Sequence, residues 1–242
     1  MKEAEYGDKW ADIYDDLYPP ASTSLIDFLV AEAGPGPVLE LGIGTGRVAL
    51  LLKKKGIDIH GIDASSKMMD KLKEKEGGKD IPVKIGNFIE IQAPPYYSMI
   101  YAVFNSFFGL QSREDQIKGF QSISDALLPG GRFIIEAIIP DLSSFDKNQA
   151  FSVVSITPTE VVLNASQIDP TAQTLMGQRI HISEGGIKLL PTEFRWVWPS
   201  ELDLMANSAG LPLIERFGSW TRTPFTQKST VHISIYEKPK KQ

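Results

Sequence analysis

The stretch Glu40-Leu41-Gly42-Ile43-Gly44-Thr45-Gly46-Arg47 decides the fold. It ends the short apolar run Val38–Leu41, which is typical of a buried strand, and it precedes the apolar helical segment Val48–Leu52. Its three glycines allow a tight turn and a close approach of a ligand to the main chain. The helix N-terminus behind the loop offers free N–H groups and a partial positive charge. The stretch therefore predicts a strand–loop–helix unit that suits a carboxylate or a phosphate.

An acid ends the next apolar strand, Ile57–Ile62, in the sequence Gly61-Ile62-Asp63. A carboxylate at this place can accept hydrogen bonds from both hydroxyls of a ribose. Loop and acid together predict a nucleoside-containing ligand at the carboxyl ends of the strands. In the dinucleotide fingerprint G-x-G-x-x-G the third glycine would fall at Arg47, and its bulk opposes close packing of the helix on the strand. The spacing therefore disfavours a nicotinamide-dependent oxidoreductase.

Apolar strands alternate with amphipathic helices up to Pro140 and again at the end of the chain. The predicted strands are Val38–Leu41, Ile57–Ile62, Val83–Ile85, Ser98–Phe104, Phe133–Ile139, Leu211–Phe217 and Thr230–Tyr236. The predicted helices are Tyr6–Leu17, Ser24–Ala33, the one that contains Val48–Leu52, Ser66–Glu76, Arg113–Leu127 and Ser200–Ala209. Near-continuous apolar strands between helices indicate a mostly parallel sheet covered on both faces. The predicted fold class is α/β, with seven strands in this sheet.

The segment 141–197 has a different pattern, in which strands follow one another with turn residues between them. The predicted strands are Phe151–Thr157, Glu160–Ile168, Thr174–Ser183 and Ile187–Val197. We therefore expect an antiparallel β insert ahead of the last helix and the last two strands. Residues 1–140 and 198–242 would form one ligand-binding domain, and the insert would be a lobe on the substrate side.

Composition excludes several classes of function. The 242 residues carry a net charge of −5, and a protein that binds nucleic acid generally would show a basic balance or stripe. The chain has no cysteine, so it has neither disulfides nor a cysteine nucleophile. Its residues also lack the clustered histidines and acids of a metal site, so we expect no bound metal. No apolar run has the length of a membrane span, and we expect a cytoplasmic protein that does not bind membranes.

Five motifs in order resemble those of class I S-adenosylmethionine-dependent methyltransferases. The stretch E-x-G-x-G-x-G at 40–46 resembles motif I, and Gly61-Ile62-Asp63 resembles the ribose-binding acid after the second strand. Gly86-Asn87-Phe88, Phe104-Asn105-Ser106-Phe107 and Leu128-Pro129-Gly130-Gly131-Arg132-Phe133 resemble the segments around strands three, four and five. The resemblance spans roughly Tyr6–Pro140 and implies a Rossmann-like fold with S-adenosylmethionine as cofactor.

The resemblance also implies roles for individual residues. The three glycines would line the methionine part and the ribose edge, Glu40 would fix the loop or a water, and Asp63 would bind the ribose. Arg47 or Tyr14 would meet the methionine carboxylate. The residues assigned to the cofactor are Tyr14, Glu40, Gly42, Gly44, Gly46, Arg47, Asp63, Ala64, Met68, Asn87, Phe88 and Phe104. Asn87 departs from the family, which commonly has Asp there, but an amide oxygen can still accept a bond from the adenine amino group.

The acceptor would lie beyond the fourth strand. The residues predicted to line its pocket are Asn105, Phe108, Trp196 and Trp198. Two alternatives stay open, because Asn105 could instead cap its own loop and the two tryptophans could instead form core beneath the following helix. No general base can be assigned from the sequence. The catalytic candidates are Tyr14, Asn105, His181 and His232, and for each histidine a surface or packing role is the favoured alternative.

The sequence thus predicts transfer of a methyl group from S-adenosylmethionine to a nitrogen or oxygen of a small-molecule acceptor, a metabolite or natural product. The alternatives are a methyltransferase that acts on a protein or peptide and a binding protein without catalysis. A homodimer is compatible with the sequence, which does not fix the oligomeric state.

Overall fold

The computed structural model describes residues 3–91 and 93–240, so the outermost residues of the predicted ligand-binding domain, 1–2 and 241–242, lie outside the described part. The helices are α1 Glu3–Trp10, α2 Tyr14–Leu17, α3 Thr23–Glu32, α4 Ala49–Lys54, α5 Ser66–Glu74, α6 Arg113–Ala126 and α7 Pro199–Ser208. The strands are β1 Val38–Leu41, β2 Ile59–Asp63, β3 Val83–Ile85, β4 Tyr97–Ala102, β5 Leu127–Ile138, β6 Gln149–Ile156, β7 Glu160–Asp169, β8 Thr174–Ser183, β9 Gly186–Arg195, β10 Leu213–Phe217 and β11 Val231–Glu237.

Two separate sheets account for these strands. The larger has seven strands in the order β10-β11-β5-β4-β1-β2-β3, and the smaller has four in the order β6-β7-β8-β9. Strands β1 to β5 pair in parallel, whereas β11 pairs antiparallel with both β5 and β10. The predicted α/β class, the mostly parallel seven-stranded sheet and the antiparallel insert are all confirmed.

Helices cover both faces of the larger sheet because its strands bury both sides. Successive residues of a strand point to opposite faces, and β4 sends Ile100 and Ala102 to one hydrophobic cluster and Met99 and Tyr101 to the other. The first cluster receives side chains of α6 and α7, and the second receives those of α3 and α4. These four helices do not cover the carboxyl ends of the parallel strands, so loops from several strands meet at one edge.

The N-terminal helix differs from the prediction, because two helices with a turn between them replace the single helix Tyr6–Leu17. Trp10 ends α1 with its indole buried and its Nε1 donating to the carbonyl of Pro191, 2.9 Å away. The α2 residue Asp15 accepts from the Thr45 hydroxyl at 2.7 Å. The stripe of aromatic and apolar residues that predicted one helix over Tyr6–Leu17 is therefore divided, and its two halves contact different parts of the molecule. The turn at residues 11–13 allows this.

The smaller sheet has two unlike faces. Residues opposite each other in antiparallel strands share a face, so the register defines each set. On one face we call the part formed by Asn164, Ser166, Leu175, Gly177, Arg179, Thr192 and Phe194 the inner face; Glu160, Val162, Ile168, His181, Lys188 and Leu190 also lie on that side of the sheet. On the other we call the apolar part formed by Phe151, Val153, Ile156, Val161, Leu163, Ala165, Ile180, Ile182, Ile187, Leu189 and Pro191 the outward face; Gln167, Met176, Gln178 and Glu193 share that side with it. The inner face is largely polar and lies toward the parallel strands' carboxyl ends, while the outward face is apolar.

Within residues 3–91 and 93–240, no helix combines the length and apolar character needed to cross a bilayer.

Candidate active site

A cavity of about 420 Å³ lies over the carboxyl ends of the parallel strands. Its floor is formed by the glycine loop and the ends of β2, β3 and β4, and its roof by α1, α2 and the inner face. The side chains and glycines of the floor are Gly42, Gly44, Asp63, Ala64, Met68, Gly86, Asn87, Phe88, Phe104, Asn105 and Ser106. Those of the roof include Tyr6, Gly7, Trp10, Tyr14, Tyr18 and all seven residues of the inner face.

The three glycines of the loop all have left-handed backbone angles, but only two of them line the cavity. Gly44 has φ +54°, and a Cβ there would lie 4.0 Å from its nearest neighbours, so the space above it is open. Gly46 has φ +78°, and a Cβ there would overlap Cδ1 of Leu72. The structure therefore corrects the role expected for Gly46: it is buried against α5 and lets the helix pack on the loop.

Asp63 connects the loop to the end of β2. Its Oδ2 accepts from the Gly44 N–H at 2.8 Å, and its Oδ1 accepts from the Ser65 N–H at 2.8 Å. Burial raises the pKa of this carboxyl, and the backbone N–H donors partly offset the rise because they stabilise the charged form. The carboxylate is thus held rigidly beside the open glycine, with its remaining lone pairs available to a ligand.

Glu40 lies behind the loop and does not line the cavity. It is buried, it accepts from the Tyr101 hydroxyl at 2.8 Å, and it interacts with the backbone N–H of Ala49 at the start of α4. Burial raises the pKa of Glu40 to about 8, so the protein holds it largely protonated at neutral pH. Of the two roles expected for it, these contacts correspond to fixing the loop.

This carboxyl makes stability depend on pH. The native protein keeps the Glu40 proton up to about pH 8, whereas the unfolded chain loses it near its ordinary pKa of 4.5. Native Glu40 therefore binds more protons between these values, and its contribution lowers stability as the pH rises through that window. We expect Glu40→Gln, which resembles the protonated acid, to give a flatter plot of Tm against pH than the parent. Calorimetry without cofactor measures both slopes, and parallel plots would contradict the prediction.

Arg47 sits where the loop meets α2. Its guanidinium lies 4.5 Å from the ring centre of Phe104 and 5.6 Å and 5.5 Å from those of Tyr14 and Tyr18. Its Nε is buried without a hydrogen-bond partner among the described residues. Burial raises the pKa of Tyr14 to about 12, so its hydroxyl stays protonated. Tyr14, Tyr18 and Phe104 line the cavity, whereas Arg47, which was also expected to contact the cofactor, lies behind these rings and is not part of the lining.

The segment after β4 turns sharply at Phe104 and Asn105, whose φ values are +55° and +63°. The Phe104 N–H donates to Oε2 of Glu136 at 2.8 Å, and Oδ1 of Asn105 accepts from the Ile138 N–H at 2.8 Å. Asn105 reaches the cavity, but its amide oxygen binds the end of β5. Of the two roles left open for Asn105, the structure shows the loop cap.

We expect this cap to support the site as well as the fold. Asn105→Gly keeps the backbone angle and removes the hydrogen bond, which costs about 1 kcal/mol of stability. Asn105→Ala also removes the hydrogen bond and keeps a Cβ in the left-handed region without the tolerance of asparagine for it, so we expect it to be about 1 kcal/mol less stable than Asn105→Gly. Urea unfolding of the two variants separates these contributions. Equal stability of both with the parent would show that neither the bond nor the backbone angle matters.

Comparison with known proteins identifies the family of this fold and cavity. Residues 38–131 match the model of the methyltransferase domain family. The structure of the CcbJ methyltransferase from Streptomyces caelestis is 38% identical, with a TM-score of 0.90 over 99% of this chain and 100% of that chain. The chain belongs to the class I S-adenosylmethionine-dependent methyltransferases. The cofactor of this methyltransferase is therefore S-adenosylmethionine.

Two other relatives are similar over most of their length. The cypemycin N-terminal methyltransferase from a Streptomyces species is 26% identical over 204 residues, which are 83% of this chain and 82% of that protein. CalS10, an amino pentose methyltransferase from Micromonospora echinaspora, is 14% identical, with a TM-score of 0.64 over 96% of this chain and 91% of that chain. The last comparison shows a shared fold alone.

The roof of the methyltransferase contains most of the residues that the sequence prediction missed. Tyr6, Trp10 and Tyr18 line the cavity, and Trp10 stacks with both tyrosines. A Cβ on Gly7 would overlap Ser65, so α1 packs directly on the start of α5. The aromatic stripe in the sequence was the available signal, but it fits core packing equally well. The polar residues of the inner face belong to no sequence motif from which they could have been predicted.

Three predicted pocket residues of the methyltransferase do not line the cavity. Phe108 is fully buried and stacks on Phe194 from behind, at 6.1 Å between ring centres. Trp196 belongs to the hydrophobic core, and Trp198 is the N-cap residue of α7 and 36% exposed. The prediction that the two tryptophans share a strand face was wrong because β9 ends at Arg195, whose guanidinium is bound by Glu201.

The two candidate histidines also lie outside the cavity lining. Nδ1 of His181 is 2.9 Å from Oε1 of Glu160. His232 is fully buried in β11 beside Ser234, and burial lowers its pKa to about 4. The structure thus places neither where it could deprotonate a ligand of the cavity.

Proposed function

We propose that this methyltransferase transfers the methyl group to a nitrogen or oxygen of a small-molecule acceptor. The observation that carries this proposal is the roof over the strand ends. Helix α1 and the inner face leave a cavity of about 420 Å³, which is within the range of small-molecule sites. Aromatic rings make up much of its wall, which suits an acceptor with apolar parts.

The residues present fit the cofactor. The open space over Gly44 accommodates a ligand against the main chain, and the Asp63 carboxylate beside it suits the ribose hydroxyls. Tyr14 lines the cavity and would meet the methionine carboxylate, with the Arg47 guanidinium behind its ring. Asn87, Phe88, Ala64 and Met68 lie around the remaining floor and would hold the adenine. Phe104 would lie near the sulfur end.

The sulfonium of the cofactor supplies a methyl group that a nucleophile displaces in line. The protein must then align the acceptor and exclude water. Burial raises the pKa of Tyr6 and brings that of Tyr14 to about 12, so these hydroxyls are poor bases at neutral pH. No histidine of the described residues lines the cavity. A neutral amine needs no strong base, so this set of side chains favours transfer to nitrogen.

A peptide acceptor is the second candidate, and the cypemycin N-terminal methyltransferase is the observation that favours it. A terminal amine on a short flexible peptide could enter the same cavity. The reaction at the amine would be the same as for a small molecule, and only the part of the acceptor that extends outside the cavity would differ.

The test is a methyl-transfer assay with purified protein and methyl-labelled cofactor. Small primary and secondary amines, matched alcohols, and short peptides with free N-termini are compared, and labelled products are identified by mass spectrometry. We expect turnover of small amines, less of alcohols, and none of folded proteins. Turnover of peptides alone would replace the proposal by the second candidate. Tight cofactor binding without turnover of any acceptor would favour a protein that binds but does not catalyse.

We further propose the division of labour expected from the sequence. Residues 1–140 and 198–242 would bind the cofactor, and the insert 141–197 would select the acceptor. The inner face supports this, because all seven of its residues line the cavity on the side away from the glycine loop.

We also propose that the outward face binds a second copy of the chain. Phe151, Ile156 and Ile187 are 67%, 70% and 70% exposed, and Val153 and Leu189 are each 56% exposed. Monomers rarely expose an apolar patch beyond a few hundred Å². In a two-fold dimer the same patch of each subunit meets its counterpart, so these apolar side chains would pack against their own copies.

Analytical ultracentrifugation tests this contact. We expect the parent to be dimeric and Ile187→Glu to be monomeric, because the carboxylate would be buried without a partner. Leu204→Glu is the matched control, since Leu204 is 71% exposed on α7, away from the outward face. A monomeric parent at micromolar concentration would refute the interface.

A further inference from the structure

Two arginines differ from the rest of the chain. The sequence has seven arginines. Arg113, Arg132, Arg195, Arg216 and Arg222 each form a salt bridge with a carboxylate. Within the described residues, Arg47 and Arg179 form none. Arg47 lies beside the glycine loop, behind the cavity lining, whereas Arg179 lies on the inner face and lines the cavity.

The guanidinium of Arg179 is held in place without being neutralised. Its Nε donates to Oδ1 of Asn164 at 3.3 Å, and its centre lies 5.5 Å from the ring of Trp10 and 5.9 Å from that of Tyr18. These contacts fix the plane of the group through one of its five N–H donors. The Nη groups make no hydrogen bond or ion pair with any residue that the structure describes.

Space for a ligand lies next to this guanidinium. Gly177 precedes Arg179 by two residues on the same strand, so both belong to the inner face. Both residues line the cavity, and a Cβ at Gly177 would lie only 3.3 Å from Oγ of Ser166, so a side chain there would crowd this hydroxyl. Thr192 is opposite Gly177 on β9. The cation therefore borders a recess with hydroxyl groups beside it.

We propose that Arg179 binds a carboxylate of the acceptor, so that the substrates of this methyltransferase are amines that also carry a carboxylate. The inference rests on the proposed function. A guanidinium presents two parallel N–H donors that match the two oxygens of a carboxylate. Arg179 is the one cationic side chain of the described cavity lining, which also contains two acidic residues, Asp63 and Glu193, so a doubly charged phosphate would be poorly neutralised. The assignment also explains a charge that is fixed in orientation and left without a counterion.

The probe is a matched set of aromatic ligands, phenylacetate, phenylacetamide and phenyl phosphate. Each is titrated by NMR onto the protein saturated with S-adenosylhomocysteine. We expect phenylacetate to bind at least about tenfold more tightly than phenylacetamide, and phenyl phosphate to bind more weakly than phenylacetate. Arg179→Gln should abolish the preference for the carboxylate, and Arg179→Lys should keep part of it. The control is Arg113→Gln, which removes an exposed arginine paired with Glu114 and should leave the preference unchanged.

Each outcome decides the question. Equal affinity for phenylacetate and phenylacetamide, binding of none of the probes, or a preference that survives in Arg179→Gln would overturn the carboxylate site. Tighter binding of phenyl phosphate would replace the carboxylate by another anion. Loss of S-adenosylhomocysteine affinity in Arg179→Gln would assign the residue to the cofactor.

The same preparations are assayed with small amines to separate this inference from the proposed function. If no small amine is methylated while the carboxylate preference follows Arg179, the proposed function fails and the site stands. If neutral amines are methylated as well as their carboxylate analogues, and the probes bind equally, the proposed function stands and the site fails.

Discussion

Asp63→Asn should weaken binding of S-adenosylmethionine by roughly 100-fold or more. The carboxylate accepts from Gly44 and Ser65, and in the proposed complex it also accepts from the ribose hydroxyls. An asparagine would turn its NH₂ toward one of these donors. Two hydrogen bonds to a charged group contribute about 1.5–3 kcal/mol each, and 1.4 kcal/mol corresponds to a tenfold change in affinity. Calorimetric titration with the cofactor and its product measures the loss.

Asp58→Asn is the matched control. Asp58 lies just before β2, at the opposite end of the same strand, and its exposed carboxylate is 3.6 Å from His60. This variant loses the same charge from the same strand at a distance from the cavity. We expect it to bind the cofactor as the parent does. An Asp63→Asn variant that binds normally would mean that the ribose is recognised elsewhere.

Gly44→Ala and Gly46→Ala should fail in different ways, although the two glycines are two residues apart in one loop. At Gly46 an added methyl group would overlap Leu72, so we expect a loss of about 3 kcal/mol in the free energy of unfolding, from overpacking and the unfavourable φ. At Gly44 the methyl group would meet nothing closer than 4.0 Å. We expect a loss of only about 1 kcal/mol there, with a loss of cofactor affinity of about tenfold or more.

Thermal unfolding and cofactor titration of both variants make the comparison. We expect Gly44→Ala to stay folded with its ligand space filled by the added methyl group. We expect Gly46→Ala to be less stable, with its ligand space unchanged. If Gly44→Ala bound the cofactor normally, the ligand would not approach the loop at that glycine. If Gly46→Ala were as stable as the parent, α5 would have to move away from the loop.

The sequence predicted the larger sheet well because the two signals used for it, the apolar run of each strand and the turn residues that bound that run, are both local. Strands β1 and β3 have the predicted bounds, since apolar runs bounded by turn residues mark buried parallel strands. The strand that begins at Phe133 was predicted too short. β5 starts at Leu127 because the turn at Gly130, with φ +80°, interrupts the ladder without ending it. The glycine loop and Asp63 were found because a fixed spacing connects them to a ligand.

The roof could not be predicted in the same way, because it depends on contacts between distant parts of the chain. Trp10 reaches Pro191, which is 181 residues away, and that contact decides which aromatic residues of the stripe face the cavity. Likewise, the end of β9 at Arg195 depends on its pairing with Glu201, so alternation alone misplaced Trp196 and Trp198. Gly46 was misassigned because its packing against Leu72, rather than its residue type or backbone angle, distinguishes it from Gly44.

The side chains of the inner face project from the hydrogen-bonded strands of the smaller sheet, whereas the glycine loop that would bind the cofactor follows a strand of the larger sheet. Substitutions at Asn164, Ser166 or Thr192 would alter the chemistry of the roof without moving a main-chain hydrogen bond. The range of acceptors can therefore diverge among descendants of one ancestor while the handling of the methyl donor stays constant. Laboratory selection for new acceptors would begin with a library at these positions.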